Sequence, residues 1–462
     1  MKDLTQGSVF KHLVLFALPM LLGNVFQQLY NVVDSLIVGR LVGVEALAAV
    51  GASFPVLFIL TSLIMGLTMG MSVVISQFYG AKDLKKVGLA IDSMMIFIIG
   101  AGLVVGLIGI CSCELIFKLM NIPDEVRSGA VVYFRILIAG AIFMFSYNGV
   151  SAILRGLGDS KTPLYFLMIA TSVNIVLDIT FIVVFKMGVA GVSLATVISQ
   201  AVATSGLIIY INTKHKIIKI KFKDWNFDKD IFFKSIKIGL PQGIQQTVVA
   251  VSMIAIMSLV GNFGPQTIAG FTVAMRLDSF AMMPIMTLSL TLTSFVGQNV
   301  GAGKYDRAKK GYKSALFLSM SSGIILGCVF VFFGKFLAGF FTDDAGVILV
   351  ASQYLATMGG FFWVLAAMFM TNGMLRGAGD AFIPMLLTVT SLIFVRVPVA
   401  IYLSREAFGL GSRGIWWGAP IGWCVGFILT FAYYKTGRWK HKAVVRKMDL
   451  REPEPLPAIV ND

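Results

Sequence analysis

Charge is what this chain has least of. Aspartate, glutamate, lysine and arginine make up 13% of its 462 residues, about half their share in a soluble domain. A soluble fold of this length needs polar faces interleaved along every element, and long stretches here offer none. Histidine is scarcer still. His12, His215 and His441 are the only three, all at helix edges or in loops, which excludes a histidine-based catalytic or zinc centre. The four cysteines, Cys111, Cys113, Cys328 and Cys424, fall in or beside apolar stretches without the paired spacing of a metal site. They read as small packing residues. With no HExxH motif and no histidine inside an apolar segment, an enzyme is not expected.

What is present is apolar. Hydrophobic residues reach 57%, alongside 47 glycines and 13 prolines, numbers that suit membrane helices better than soluble ones. Between charged clusters run apolar stretches of about 20 residues or more, enough for a helix to cross a bilayer. Twelve spans are predicted: 12–38, 48–74, 88–110, 130–153, 163–185 and 190–211, then 236–260, 267–295, 314–334, 347–373, 383–404 and 414–434. The expected divisions are an N-terminal six-helix bundle (1–212), a basic linker (213–235), a C-terminal six-helix bundle (236–434) and a tail (435–462). The first apolar run is too long for a cleavable leader and lacks a small-residue cleavage site. It is expected to be the first membrane helix.

Basic residues set the expected orientation. With the N-terminus inside, 28 of the 38 lysines and arginines fall on the inner side: Lys2, Lys11, Arg155, Lys161, Arg376 and the clusters at 82–86, 214–237, 304–313 and 435–451. The outer loops hold seven. Both termini are therefore expected in the cytoplasm of a cell with this protein in its inner membrane. The net charge of +15 is accounted for by loop lysines facing anionic lipid, so membrane lipid is an expected partner and nucleic acid is not.

The chain is also duplicated. Leu154-Arg155-Gly156-Leu157-Gly158-Asp159 recurs 221 residues later as Leu375-Arg376-Gly377-Ala378-Gly379-Asp380, and Gln77, Gly80 and Ala81 recur as Gln298, Gly301 and Ala302 at the same interval. Pro19 and Pro241 stand 222 apart, each preceded by leucine. Six crossings is an even number, so both halves enter the membrane the same way, related by a pseudo-two-fold axis along its normal. In the repeated motif, glycine and a following proline end one helix and begin another. Asp159 and Asp380 are expected to cap the following helices, and Arg155 and Arg376 to bond the last carbonyls of the preceding ones.

Buried acids carry the chemistry. A carboxylate at bilayer depth costs about 3 kcal/mol or more, so it marks an ion or substrate path more often than not. Asp34 lies in the first span. Asp178 lies in the fifth, with Asn174 one turn earlier on the same face. An amide oxygen and a carboxylate so spaced suit a hard cation or a shared proton.

The paired LRGxGD elements, the Gln-x-x-Gly-Ala loops, the Leu-Pro of each first helix and Arg276-Leu277-Asp278 resemble the multidrug and toxic compound extrusion (MATE) family. The resemblance covers about 10–440. It implies an all-α membrane protein with two six-helix bundles in a V, exporting cationic or amphipathic small molecules by alternating access in exchange for protons or sodium. By the same resemblance Asp34, Tyr133, Asn174, Asp178 and Thr196 form the proton or cation site, and Pro19 is a hinge in the first helix. For sodium, the ligands would be Asn174, Asp178 and Thr196. Gln27, Tyr30, Asn148, Gln245, Gln246, Asp278 and Met282 are the expected cavity residues. No cofactor beyond the coupling ion is implied, and a monomer is expected. The sequence departs from one subgroup: the seventh span offers Gln245 and Gln246 but no acid, and the tenth, at Phe361-Phe362-Trp363-Val364-Leu365-Ala366, has none either. A second-bundle cation site of that type is not expected, and Asp278 is expected in a structural salt bridge. The alternative is a lipid-linked sugar or lipid flippase of the same superfamily, which would show a cationic cavity; the buried acids favour cations.

Overall fold

A computed structural model describes residues 2–214, 219–220, 225–405 and 408–445. Much of the basic linker and the tail beyond 445 lie outside the described residues. Among those described there are helices and no strands.

The first half comprises α1 (Val9–Ile37), which runs on through a π-helical turn (Val38–Val42), α2 (Val44–Gly80), α3 (Leu84–Leu119), α4 (Asp124–Ala139), α5 (Ala141–Gly156), α6 (Lys161–Ile179), with a second π turn (Thr180–Val184), and α7 (Gly188–Lys214). The second half comprises α8 (Lys229–Gly261), α9 (Pro265–Gly301), α10 (Tyr305–Gly339), α11 (Ala345–Gly359), α12 (Phe362–Gly377), α13 (Phe382–Thr390), α14 (Val397–Leu403) and α15 (Ser412–Lys435), with a third π turn (Ser391–Arg396) between α13 and α14.

Ten helical stretches are long and apolar enough to cross a membrane, and two bent pairs bring the spans to twelve. The fourth and tenth spans are not the single rods the hydropathy implies. α4 and α5 meet at 50°, and α11 and α12 at 51°. The breaks fall at Gly140 and Gly360, where a missing side chain leaves the backbone free to turn. The eleventh span is interrupted too: Pro398 lacks the N–H that would continue the ladder, and a π turn precedes it. Several helices also overrun their apolar cores. α3 has 36 residues, about 54 Å at helical rise, against a hydrocarbon layer of about 30 Å. Hydropathy registers only the buried part, whereas the helix starts where Asp83 accepts from the Lys86 amide at 3.0 Å.

The duplication holds at the level of single bonds. Ser72 donates to the Ala152 carbonyl at 2.8 Å in the first half, and Thr293 donates to the Gly373 carbonyl at 3.2 Å in the second. Both pairs are 221 residues apart. The repeated motif departs from that symmetry. Asp159 accepts from the amides of Lys161 and Thr162 at 3.0 and 3.1 Å, as a cap should. Asp380 instead accepts from the Tyr433 hydroxyl at 2.6 Å. Arg376 does not reach the carbonyls expected of it; it bonds Gln242 of α8 and Ser289 of α9. Ser289 is buried and Gln242 half-buried, and their place beside the guanidinium is visible only once the helices are packed.

The halves meet along α2 and α8, flanked by α1 and α9. Gly66 and Gly70 of α2 face Gly239 and Gly243 of α8 so closely that a Cβ at Gly66 would stand 2.5 Å from the Gly243 nitrogen. Two glycines four apart on each helix let the backbones touch. At a similar depth Asn24 of α1 donates to Thr287 of α9 at 2.9 Å, and nearer the lysine-rich end Gln77 and Gln298 cross the seam reciprocally. Gln77 donates to the Gly377 carbonyl at 2.9 Å and Gln298 to the Gly156 carbonyl at 3.0 Å. At the other end, Phe54 and Ile59 of α2 and Val251 and Ile254 of α8 are exposed.

Candidate functional site

Asp34 stands in the last turn of α1 and Asp178 in the last turn of α6, each just ahead of a π turn. The first-span acid is therefore farther along its helix than its place within an apolar run conveys. Arg396 ends the third π turn, so all three adjoin a charged residue, a recurrent setting for functional groups. Asn174, one turn before Asp178, shares its face of α6, which packs on α7 and so meets Thr196.

The Asp34 and Asp178 carboxyl groups lie within hydrogen-bonding reach of one another. Asp178 and Asn174 are fully enclosed, at 0% and 1% exposed, and Asp34 is half-buried. With its amide oriented to satisfy both neighbours, Asn174 donates to Asp178 Oδ2 at 2.8 Å and accepts from the Thr196 amide at 3.3 Å. The Thr196 hydroxyl also meets the Tyr30 hydroxyl at 3.3 Å. Tyr133 is buried beside Val38, Ala46, Ile182 and Val192, within electrostatic reach of Asp34, Tyr30 and Asp178. Asp34 Oδ1 and Asp178 Oδ1 have no hydrogen-bond partner among the described residues. Two carboxyl groups so placed can hold one proton between them, with an oxygen on each still able to accept.

All five residues expected at the coupling site are thus brought together, and Tyr30, expected to line a cavity, joins them. The remaining cavity residues are dispersed. Asn148 donates to the Met144 carbonyl of its own helix at 2.9 Å. Met282 packs against the second-half core. Gln245 and Gln246 are half-buried on α8, Gln27 is half-buried on α1, and Pro19 is buried within an unbroken α1. Gln200 was not expected. It lies one turn beyond Thr196 with a buried, unpartnered Oε1, and its i, i+4 spacing from Thr196 was the available signal. The facing glycines of α2 and α8 were likewise readable as small-xxx-small patterns.

The expected salt bridge of Asp278 does not form as such. Asp278 (α9) and Arg396 lie within electrostatic reach of one another but make no ion pair within 4.0 Å. Arg396 reaches the Met253 sulfur at 3.5 Å, and Tyr354 packs edge-on to Trp416 at 5.3 Å. Asp278 and Arg396 are each only 8% exposed, and each lies within the field of the other. Replacing Arg396 with Leu is expected to lower stability by about 3 kcal/mol, and the double D278L/R396L variant to recover most of it. Thermal melts of the purified variants check this; additive losses would mean that the two charges do not balance each other.

The family model described as MatE matches the chain twice, over residues 19–180 and 241–402, the same 222-residue step that separates Pro19 from Pro241. "Probable multidrug resistance protein YpnP" of Bacillus subtilis (strain 168) is 33% identical over 441 residues, spanning 95% of this chain and 97% of its own length. Solved structures of MATE in the straight and bent conformations each superpose with a TM-score of 0.88 at 27% identity, covering 95% and 96% of this chain and 98% of theirs. With two matched halves, twelve spans and multidrug transporters as relatives, the chain belongs to the multidrug and toxic compound extrusion family of membrane transporters.

Proposed function

We propose that this transporter exports cationic small molecules in exchange for protons held between Asp34 and Asp178. The observation that carries the reading is the contact between those two carboxyl groups, which come from different helices and lie away from the seam's closed end. Like charges so close in an enclosed site need a proton or cation between them. With its amide turned to donate to Asp178 and accept from Thr196, the orientation that satisfies both neighbours, Asn174 supports a carboxyl group that holds a proton; the reverse orientation would offer its oxygen to a sodium ion. A departing proton leaves negative charge on the site, which attracts a cationic substrate; a returning proton removes it and releases the substrate.

Alternating access follows from where the halves touch. The glycine contacts and the Gln77 and Gln298 bonds lie toward the lysine-rich end, which the positive-inside rule assigns to the cytoplasm, so this arrangement is open outward. Pro19 immediately precedes Met20, and both Met20 and Asn24 contact α9. A bend there would move α1 against the opposite half.

Inverted membrane vesicles separate the possible coupling ions. A fluorescent cation should accumulate when a pH gradient is imposed and not when a sodium gradient alone is. Accumulation on sodium alone would replace the proton by sodium at Asn174, Asp178 and Thr196. Accumulation on neither gradient would overturn antiport at this site.

A further inference from the structure

The segments before α1 and after α15 each dock mainly on the half to which they do not belong. Leu4 is 1% exposed and shares an apolar cluster with Val300, Ala308, Tyr312 and Met374 of the second half. Its amide donates to Gln298 Oε1 at 2.9 Å. Its carbonyl accepts from Asn299 Nδ2 and from Arg307 Nε, both at 3.2 Å. Arg307 also donates to the carbonyls of Gln6 at 2.6 Å and Gly7 at 2.8 Å, and Lys304 donates to the carbonyl of Thr5 at 3.0 Å. After α15, Val444 and Val445 share a cluster with Val74, Phe78 and Val87 of the first half, and the Val444 amide donates to Gln77 Oε1 at 2.7 Å.

The same two glutamines therefore serve both roles. Each nitrogen bonds a motif glycine across the seam, and each oxygen receives the backbone of a terminal segment. The motif glycines complete the sockets. Gly158 (φ +82°) lies against the Lys2 carbonyl, and Gly379 (φ +95°) against that of Lys442. These backbone conformations favour glycine, and a Cβ at either site would meet the segment. Neither segment contacts the Asp34 and Asp178 site.

We infer that the sockets around Gln77 and Gln298 are binding surfaces for two segments of the same chain, residues 442–445 after α15 and 2–7 before α1, which act as crossed straps holding the lysine-rich end shut. Opening that end requires both straps to leave. The sockets select extended main chain: a glutamine oxygen takes one amide, and in the first strap the Arg307 guanidinium gathers three carbonyls. The inference rests on the orientation proposed above only in making this end the cytoplasmic gate.

The test uses the full chain with its four cysteines replaced by alanine and spin labels at K85C and K310C, exposed positions at the lysine-rich end of either half. The hydrogen bonds of Arg307 all go to the first strap, and V444P deletes the donor of the second. Each of R307A and V444P should raise the ratio of a longer inter-label distance to the shorter one roughly tenfold, the effect of losing about 1.4 kcal/mol. Together they should make the longer distance dominant. An unchanged distribution in the double variant overturns the inference. A complementary variant guards against misfolding: T5C/K304C, joined by a short bis-methanethiosulfonate cross-linker that spans the reach of the Lys304 side chain, should stop transport until reductant is added, and transport at the unmodified rate by the cross-linked protein would overturn the inference equally. Labelling of K310C from outside intact cells by an impermeant maleimide would refute the orientation alone and leave the distance measurement standing.

Discussion

Asp178→Asn is expected to abolish uphill efflux while leaving the protein folded. The amide keeps the size of the side chain and can still bond Asn174, so the helices have no cause to repack. What it cannot do is take up and release a proton. Active accumulation should collapse to simple equilibration across the membrane, and Asp34→Asn should do the same. On the proposed coupling the two carboxyl groups act as a unit, and the double variant should be no worse than either alone. The size of the loss depends on how many protons are exchanged. One proton for one monovalent cation moves no net charge, whereas two move one charge, worth about 2.3 kcal/mol per 100 mV, roughly a fiftyfold gradient. Uptake in inverted vesicles with pH and voltage set independently measures both quantities. Undiminished gradient-driven accumulation in D178N would remove Asp178 from the coupling step.

The sequence made much of this fold legible because duplication leaves an arithmetic trace. A 221-residue interval linked Gln77 to Gln298 and Gly156 to Gly377, and the seam pairs those residues crosswise, each glutamine with the glycine of the other half. The interval alone could not show that crossing, because it reports equivalence between the halves and says nothing of contact between them. Asn174 and Asp178 were readable because they are four residues apart on one helix. Tyr30 stands one turn before Asp34 and Gln200 one turn after Thr196, but the meeting of Tyr30 with Thr196 depends on how α1 and α7 lean on α6. The bends at Gly140 and Gly360 also escaped the hydropathy. A glycine within a membrane span is common, and whether it bends the helix is decided by the neighbours packed against it. Asp278 and Arg396, which lie in one another's field without forming an ion pair, are 118 apart in sequence, with no local pattern to announce their approach.

Gly66→Leu should be among the most damaging substitutions available outside the coupling site. A Cβ there would stand 2.5 Å from the Gly243 nitrogen, 2.7 Å from its Cα and 2.8 Å from the Gly239 carbonyl. These are backbone atoms and cannot rotate away. Overpacking of this kind costs about 1–3 kcal/mol and often more, enough to lower the melting temperature of the detergent-purified protein clearly. Gly51 supplies the control. It lies on the same helix, 15 residues earlier, within about 60° of the same face, yet a Cβ there would meet nothing within 4 Å. Gly51→Leu should therefore melt with the unmodified protein, and equal losses at both positions would contradict the close approach of α2 and α8. Turnover should separate the two positions further. If the halves rock about the Gly66 and Gly243 crossing, closing the far end brings the Gly51 face toward the opposite half. Gly51→Leu should then slow transport without loosening the resting fold, a split that a purely structural role at that position would not produce.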